Sequence, residues 1–367
     1  MNNWQVNPVQ TDFHQCTGCG GDMAFAPEFQ VMQCSYCSSK RNIELQPTVI
    51  REYDLDSADE TANLSWGTET RVFHCNNCGA DTVIDSFAKS HSCAFCGSTH
   101  VIRQETQATG IAPESLVPFK VTKIAALDTF NKWIGSRFFA PRALKNSYQK
   151  DSIKGAYIPF WTYDADTDSN YSAQAGTYYY VTEPRTVRDK DGKTRTEYVQ
   201  VRKTRWRTVT GRYNRHFNDH LINASRNIDE RLLGKIEPFD LNQLVPYSPE
   251  FLAGFLAERY SINLRDGWER AKSRLSRILD TEITRHIAAD EVSGLNVNTS
   301  WSNIKYKYFL LPIWLSSYTY KDKTYHFMVN GQSGRVYGEA PTSFWKIAGM
   351  VAALAAVIGL VVYFFTT

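Results

Sequence analysis

No phosphate-binding loop of the form Gly-x4-Gly-Lys-[Ser/Thr] occurs in the 367 residues. That absence removes a nucleotide-driven motor, which needs backbone amides and a lysine wrapped around the phosphates. Gly192-Lys193-Thr194 comes nearest, but Val187 stands where the first glycine belongs, and the stretch DKDGKT reads as a hairpin turn. There is no Gly-x-Ser-x-Gly elbow and no His-Glu-x-x-His. Gly331-Gln332-Ser333-Gly334 is a turn signal. Met1 to Gln15 is polar, with no apolar core of a secretory signal. The expectation is a non-enzymatic chain that stays out of the secretory route.

Cysteine is scarce as well, and all eight copies fall in one duplicated pattern. Cys16-x2-Cys19-x14-Cys34-x2-Cys37 is followed by Cys75-x2-Cys78-x14-Cys93-x2-Cys96 with the same internal spacing. Two Cys-x2-Cys knuckles joined by a short hairpin wrap four thiolates around one ion, at Zn–S distances near ~2.3 Å. Gly20, Asp22 and Ser39 of the first copy match Gly79, Asp81 and Ser98 of the second, so the repeat is a duplication. A segment of about 30 residues cannot bury enough apolar surface to fold alone. Metal binding must then supply the stability, on the order of 10–16 kcal/mol per site. Two Zn²⁺ per chain are expected, both in closed structural sites; iron in a rubredoxin-like arrangement uses similar knuckles and stays open. His14, His74, His91 and His100 lie near the knuckles, but none recurs in the other copy, so they read as surface or supporting residues.

Long apolar runs are absent until Ile347 to Phe365, where 19 residues carry no charge. As a helix this run extends about 28 Å, close to the hydrocarbon thickness of a bilayer. Trp345 and Tyr363 stand where interfacial aromatics belong. Arg335 and Lys346 precede the run and no cation follows it, which by the positive-inside rule places the preceding residues in the cytoplasm, under an inner-membrane, single-pass anchor. Ala348, Ala352, Ala355, Ala356 and Gly359 share roughly one helical face and allow close approach of a second span, hence a helix-mediated oligomer.

The resulting plan is multidomain: a zinc ribbon over 1–41, an acidic linker over 42–71 with one strand at 42–49, and a second ribbon over 72–103. An α+β domain with an antiparallel sheet follows over 104–342, then a transmembrane anchor over 343–367. Inside the large domain, Thr122 caps a helix over 123–135. Strands are expected at 156–163, 171–181, 196–209 and 213–222, where tyrosine, valine and threonine runs are broken by turn residues. Ser248-Pro249-Glu250 starts a helix, and the longest helix runs over 266–289. A hairpin of 305–320 against 324–329 closes the domain. Ile158-Pro159-Phe160-Trp161 and Leu311-Pro312-Ile313-Trp314 repeat one phrase, read as two buried edge strands each begun by proline, with a second duplication as the competing reading.

The paired ribbons, GAYIPFWTYD over 155–164, LVPYSPEFLAGFLAE over 244–258, Phe309 to Trp314 and the terminal apolar run together resemble a family of bacterial membrane-anchored double zinc-ribbon proteins. Members are often labelled primosomal helicase-like or replication-like, and relatives accompany SPFH (flotillin-like) and phage-shock proteins. The resemblance implies protein partners of those kinds, and by matching position it supports the eight cysteines as ligands.

Charge bears on the replication label. The whole chain sums to +3. Residues 1–110 hold six Lys/Arg against thirteen Asp/Glu, a net of −7 that repels phosphate backbones. Glu183 to Arg215 holds eleven Lys/Arg against four Asp/Glu, a net of +7. Arg202, Lys203, Arg205, Arg207, Arg212 and Arg215 are therefore candidates for contact with an anionic surface, lipid headgroups or an acidic partner. His216 and His220, placed on one strand face with Asn218, are a weaker candidate for metal. The expected function is a membrane-anchored, cytosol-facing adaptor that binds protein partners; the alternative is a membrane-tethered nucleic-acid binder without a motor.

Overall fold

The computed structural model describes residues 15–45, 50–58, 71–84, 93, 95, 96, 98, 101–104, 111–141, 153–188, 192–320 and 323–366. The first ribbon holds β1 (Met23–Ala26), β2 (Val31–Cys34) and β3 (Lys40–Arg41), and β4 (Tyr53–Asp54) follows. The second holds β5 (Arg71–Cys75), β6 (Asp81–Ile84) and β7 (Val101–Gln104). Then come β8 (Ser115–Leu116), α1 (Lys123–Ser136), β9 (Lys154–Arg188), β10 (Thr194–Asn223), α2 (Glu230–Ile236), β11 (Val245–Pro246) and β12 (Leu256–Glu258). The chain finishes with α3 (Leu264–Ile287), β13 (Glu291–Tyr320), β14 (Lys323–Asn330), β15 (Val336–Gly338) and α4 (Phe344–Thr366).

The four strands expected between 156 and 222 are two, of 35 and 30 residues. Stretches that look like turns are held straight by neighbours on both sides: Asp168 and Asn170 pair with Ser300 and Asn298 of β13 and with Asn214 and Arg212 of β10. Pairing on both edges outweighs the weak strand propensity of Asp, Asn and Ser. Beyond Gly176 the support of β13 ends, and Thr177–Arg188 pairs with Thr194–Arg205 as a free two-stranded ribbon about 40 Å long. Gly192, with φ +79°, lies in its turn.

Between Gly155 and Ala165 every residue of β9 is buried, because both sheet faces are covered. Tyr157, Trp161 and Tyr163 face α1 and α3, in one core with Phe130, Trp268 and Leu275. Ala156, Ile158 and Phe160 face α2 and the second ribbon, in a core with Leu232, Ile236, Cys93 and Phe95. The 12-stranded sheet is mixed rather than wholly antiparallel, since β12 runs parallel to β9 and β8 parallel to β13. Residues 42–45, expected to begin a strand, lie outside any strand, and 46–49 fall outside the described residues. Apart from Arg71, which opens β5, the only strand of the 42–71 segment among the described residues is β4, paired with Lys305–Tyr306 of β13, so this part of the expected linker is docked.

The twin phrases are central strands rather than edges, and they face each other. Ile158 pairs with Leu311, a point about which the two strands are related by a local two-fold. At each proline the outer neighbour changes: β9 leaves β12 at Tyr157 and joins β10 at Phe160, while β13 leaves β8 at Leu310 and joins β14 at Ile313. A proline is tolerated there because its missing N–H points at the changeover. Both proline carbonyls are used, by Ala224 N–H at 3.0 Å and Gly331 N–H at 2.9 Å.

The symmetry extends outward. Thr122 follows Leu116 at the same chain distance as Asn263 follows Ala257, and each caps its helix at the third N–H, Thr122 Oγ1 accepting from Ala125 and Asn263 Oδ1 from Asp266. The buried positions Ala126, Leu127, Phe130 and Ile134 of α1 match Gly267, Trp268, Ala271 and Leu275 of α3. Two strand–helix–strand–strand units thus share one plan, which supports duplication over coincidence. The α3 boundaries fall within two residues of expectation; the helix expected at Ser248 is only a 3₁₀ turn, Pro249–Leu252.

At the far end, α4 presents Ala348–Phe365 as an apolar stretch of 18 residues, none of it buried. Its base is fastened to the loop after α1: Lys346 Nζ donates to the carbonyls of Phe138 (2.8 Å) and Ala140 (2.7 Å), and Ser343 N–H to that of Phe139 (2.8 Å).

Candidate metal centres

Each cysteine quartet begins at a knuckle turn. Gly20 and Gly79 take φ +72° and +75°, a left-handed conformation that a side chain would disfavour. This lets Gly20 N–H reach the Cys16 carbonyl and Gly79 N–H the Cys75 carbonyl, both at 2.8 Å. Cys16 N–H and Cys75 N–H return to Gly21 and Ala80, and Cys34 N–H and Cys93 N–H to Ser39 and Ser98. The duplication therefore reaches individual hydrogen bonds. His74 Nδ1 contacts Asp81 Oδ1 at 2.7 Å, while His14, His91 and His100 lie outside the described residues.

The four sulfurs of each quartet lie within 4.8 Å of one another, so each quartet can hold one metal ion. Nearest pairs are 3.5 Å apart in the first (Cys16–Cys37, Cys19–Cys34) and 3.6 Å in the second (Cys75–Cys96, Cys78–Cys93). Disulfides would need about 2.05 Å. Four thiolates around one zinc would stand ~3.8 Å apart, so the donor set fits a tetrahedral ion. The thiols also resist ionising together. Hydrogen bonding from Ser39 holds Cys16 down to about 6. Cys19 is nonetheless pushed up to about 12, since crowding by Cys37 and Cys34 overrides the Gly21 backbone N–H. Burial lifts Cys93 to about 11. A cation at the centre removes that conflict.

Ser39 is a functional residue whose role the spacing did not show. Its hydroxyl lies 2.9 Å from Cys16 Sγ and 3.1 Å from Cys37 Sγ, positioning two ligands at once. The one signal in the sequence was its match to Ser98. Backbone donors complete the pattern: Tyr36 N–H to Cys34 Sγ and Phe95 N–H to Cys93 Sγ, both at 3.4 Å.

Five of the six basic candidates are engaged within the chain. Lys203 pairs with Glu183 at 2.5 Å, Arg212 with Asp168, and Arg215 with Glu282 at 3.6 Å. Arg202 stacks over Tyr178 at 4.2 Å and Arg205 over Tyr179 at 5.3 Å. Strand alternation puts Lys203, Arg205, Arg207 and Arg215 on one face and Arg202 and Arg212 on the other.

His216 and His220 are separated by a bulge between Phe217 and His220, with Asp219 at φ +51°, which turns them to opposite faces. His216 Nδ1 meets Asp166 Oδ1 at 2.7 Å, and burial lowers the pKa of His220. Among the described residues the two quartets alone have metal-ligand geometry. A second bulge, at Asn303, faces the same stretch of β9, and Asp164 and Asp166 fill the two: Asp164 accepts from Asp219 N–H, Asp166 from Asn303 Nδ2. Lys307 closes this polar cluster against Glu52 and Asp219.

No family model matches the chain, and no solved structure matches it. It is similar to a protein of Bacillus subtilis (strain 168) named Uncharacterized protein YdjG, 28% identical over 347 residues, which are 93% of this chain and 94% of that protein.

Proposed function

We propose that this chain is a membrane-anchored adaptor: two zinc-stapled ribbons and a long sheet that present protein-binding surfaces on the cytosolic side of a single span. One observation carries the reading. The apolar helix Ala348–Phe365 is wholly unburied and is fastened at its base to the folded domain, so it is neither a core helix nor a loose tail. Its length matches a hydrocarbon core of about 30 Å. Lys346 at the entry supplies the cytosolic cation.

Zinc is the metal proposed for both quartets, because a closed shell of four thiolates is the usual structural zinc arrangement; rubredoxin-type iron uses the same donors, and metal analysis separates the two. Purified protein should carry two zinc ions and no iron. The partners are proteins at the same membrane, of the SPFH or phage-shock type that the family resemblance implies. Deleting 344–367 should release the protein from the membrane and shift such a partner from its membrane foci. An unchanged partner distribution removes the adaptor reading.

A further inference from the structure

The anchor helix does not leave the domain at an arbitrary place. Lys346, two residues before the apolar stretch begins, holds the carbonyls of Phe138 and Ala140, and Ser343 N–H holds that of Phe139. Two residues of helix rise about 3 Å, so this loop lies within one lysine side chain of the level where hydrocarbon begins. Phe138 is nonetheless 70% exposed, its ring 5.8 Å from Lys346 Nζ and edge-on to Phe139 at 5.2 Å. Arg137, beside it, stacks over Trp133 at 4.8 Å. An exposed aromatic with cations at its flanks suits the headgroup boundary, where rings partition and cations meet lipid phosphates.

We infer that the loop 137–140 is a second membrane contact, with Phe138 seated in the lipid interface beside the anchor, so that span and loop together hold the domain in one orientation. The inference rests on the anchor reading above. The two-fold fixes which way the rest points. Helix α3 starts at Tyr163 and ends beside Tyr171 and Tyr213, running toward the hairpin tip. Helix α1 starts at Trp314 and passes Phe327, running the opposite way along the sheet. The loop after α1 is therefore at the pole remote from the ribbon 177–205, which stands away from the bilayer. Its basic residues then meet soluble partners rather than the lipid of their own membrane.

The test places a benzoylphenylalanine photocrosslinker at Phe138, at Tyr363 within the span, or at Tyr198 on the ribbon. The full chain is reconstituted in phosphatidylethanolamine–phosphatidylglycerol vesicles, and adducts are read by mass spectrometry. Phe138 and Tyr198 are exposed, so neither replacement disturbs a core. The expected result is lipid adducts at 138 and 363 and none at 198. Adducts at 363 without any at 138, or adducts of 138 to a second copy of the chain, overturn the inference while leaving the anchor. Absence at 363 overturns the anchor reading itself, and the inference with it. Lipid adducts at 198 overturn the orientation.

Discussion

The two cysteine modules share a ligand geometry and even matching hydrogen bonds, yet they are joined to the molecule by different forces and on different faces of its sheet. The first keeps a three-stranded sheet of its own and docks mainly by side chains: Phe25 lies edge-on to Phe251 at 5.1 Å, Phe25 and Met32 enter the core beneath α1 and α3, and one main-chain bond, Phe25 N–H to the Ala253 carbonyl at 3.0 Å, joins it to the domain without extending the large sheet. The second is joined by main chain. Its β6 pairs with Ala257 and Glu258 of β12, which in turn runs beside β9, and Cys93 and Phe95 enter the opposite core. A cysteine quartet able to hold a metal shapes the local turn in both, but only in the second is the strand that carries it part of the sheet that everything else leans on.

The largest test of that contrast removes equivalent ligands. Cys34→Ser and Cys93→Ser should each cost one metal per chain, with up to about 10 kcal/mol of local folding energy at stake. Cys93→Ser is expected to lower the unfolding midpoint of the whole domain. Cys34→Ser should leave that midpoint nearly unchanged and open 15–41 to protease. Equal shifts would abolish the distinction. Next in size, Phe25→Ala should cost about 3–5 kcal/mol and undock the first ribbon with both metals retained. Limited proteolysis with metal analysis reads both outcomes, and metal loss would mean that docking and ligation are one event.

The second seam alone should sense pH. Glu258, opposite Thr82 in that seam, is fully buried; Ser225 Oγ (2.8 Å) and Asn227 Nδ2 (2.7 Å) both donate to Oε1. Burial pushes its carboxyl up to about 7, partly offset by those donors. The folded state then holds a proton that the unfolded chain releases, so stability falls as pH rises from about 4.5 to 7, by about 3 kcal/mol in all. Glu258→Gln should flatten that slope in urea unfolding at a series of pH values; an unchanged slope would place the titration elsewhere. The smallest effect sharpens the first site: Ser39→Ala should weaken its metal about 10-fold, seen as earlier release to a chelator, with the second site unaffected.

Much of the centres could be read from spacing because a ligand set is local: four cysteines and a glycine turn suffice. The helix caps at Thr122 and the core stripe of α3 were legible for the same reason. Strand length was not. Nothing within 154–188 says that Asp168 and Asn170 continue a strand, since their neighbours on β13 lie more than a hundred residues away. The helix expected at Ser248 stops as a 3₁₀ turn because Gly254, at φ +87°, reverses the chain and sends Phe251 and Phe255 toward Phe25. Counting in twos puts His216 and His220 on one face, and an inserted bulge residue breaks that count.

The distance between β9 and its inner partner also sets an order of events during synthesis. Arg188 leaves the ribosome well before Tyr320, an interval on the order of ten seconds at elongation rates of about 5–20 residues per second. Throughout it, one edge of β9 has nothing to pair with, while β10 can close on the other within microseconds. The nascent chain therefore waits as a long hairpin with a bare flank. The apolar helix α4 emerges only as β13 completes the sheet, so folding of the domain and, on the anchor reading proposed above, membrane insertion fall almost together. A slowed β13 would expose that flank beside the apolar helix α4, and aggregation rather than misfolding of the cysteine modules is the failure to expect.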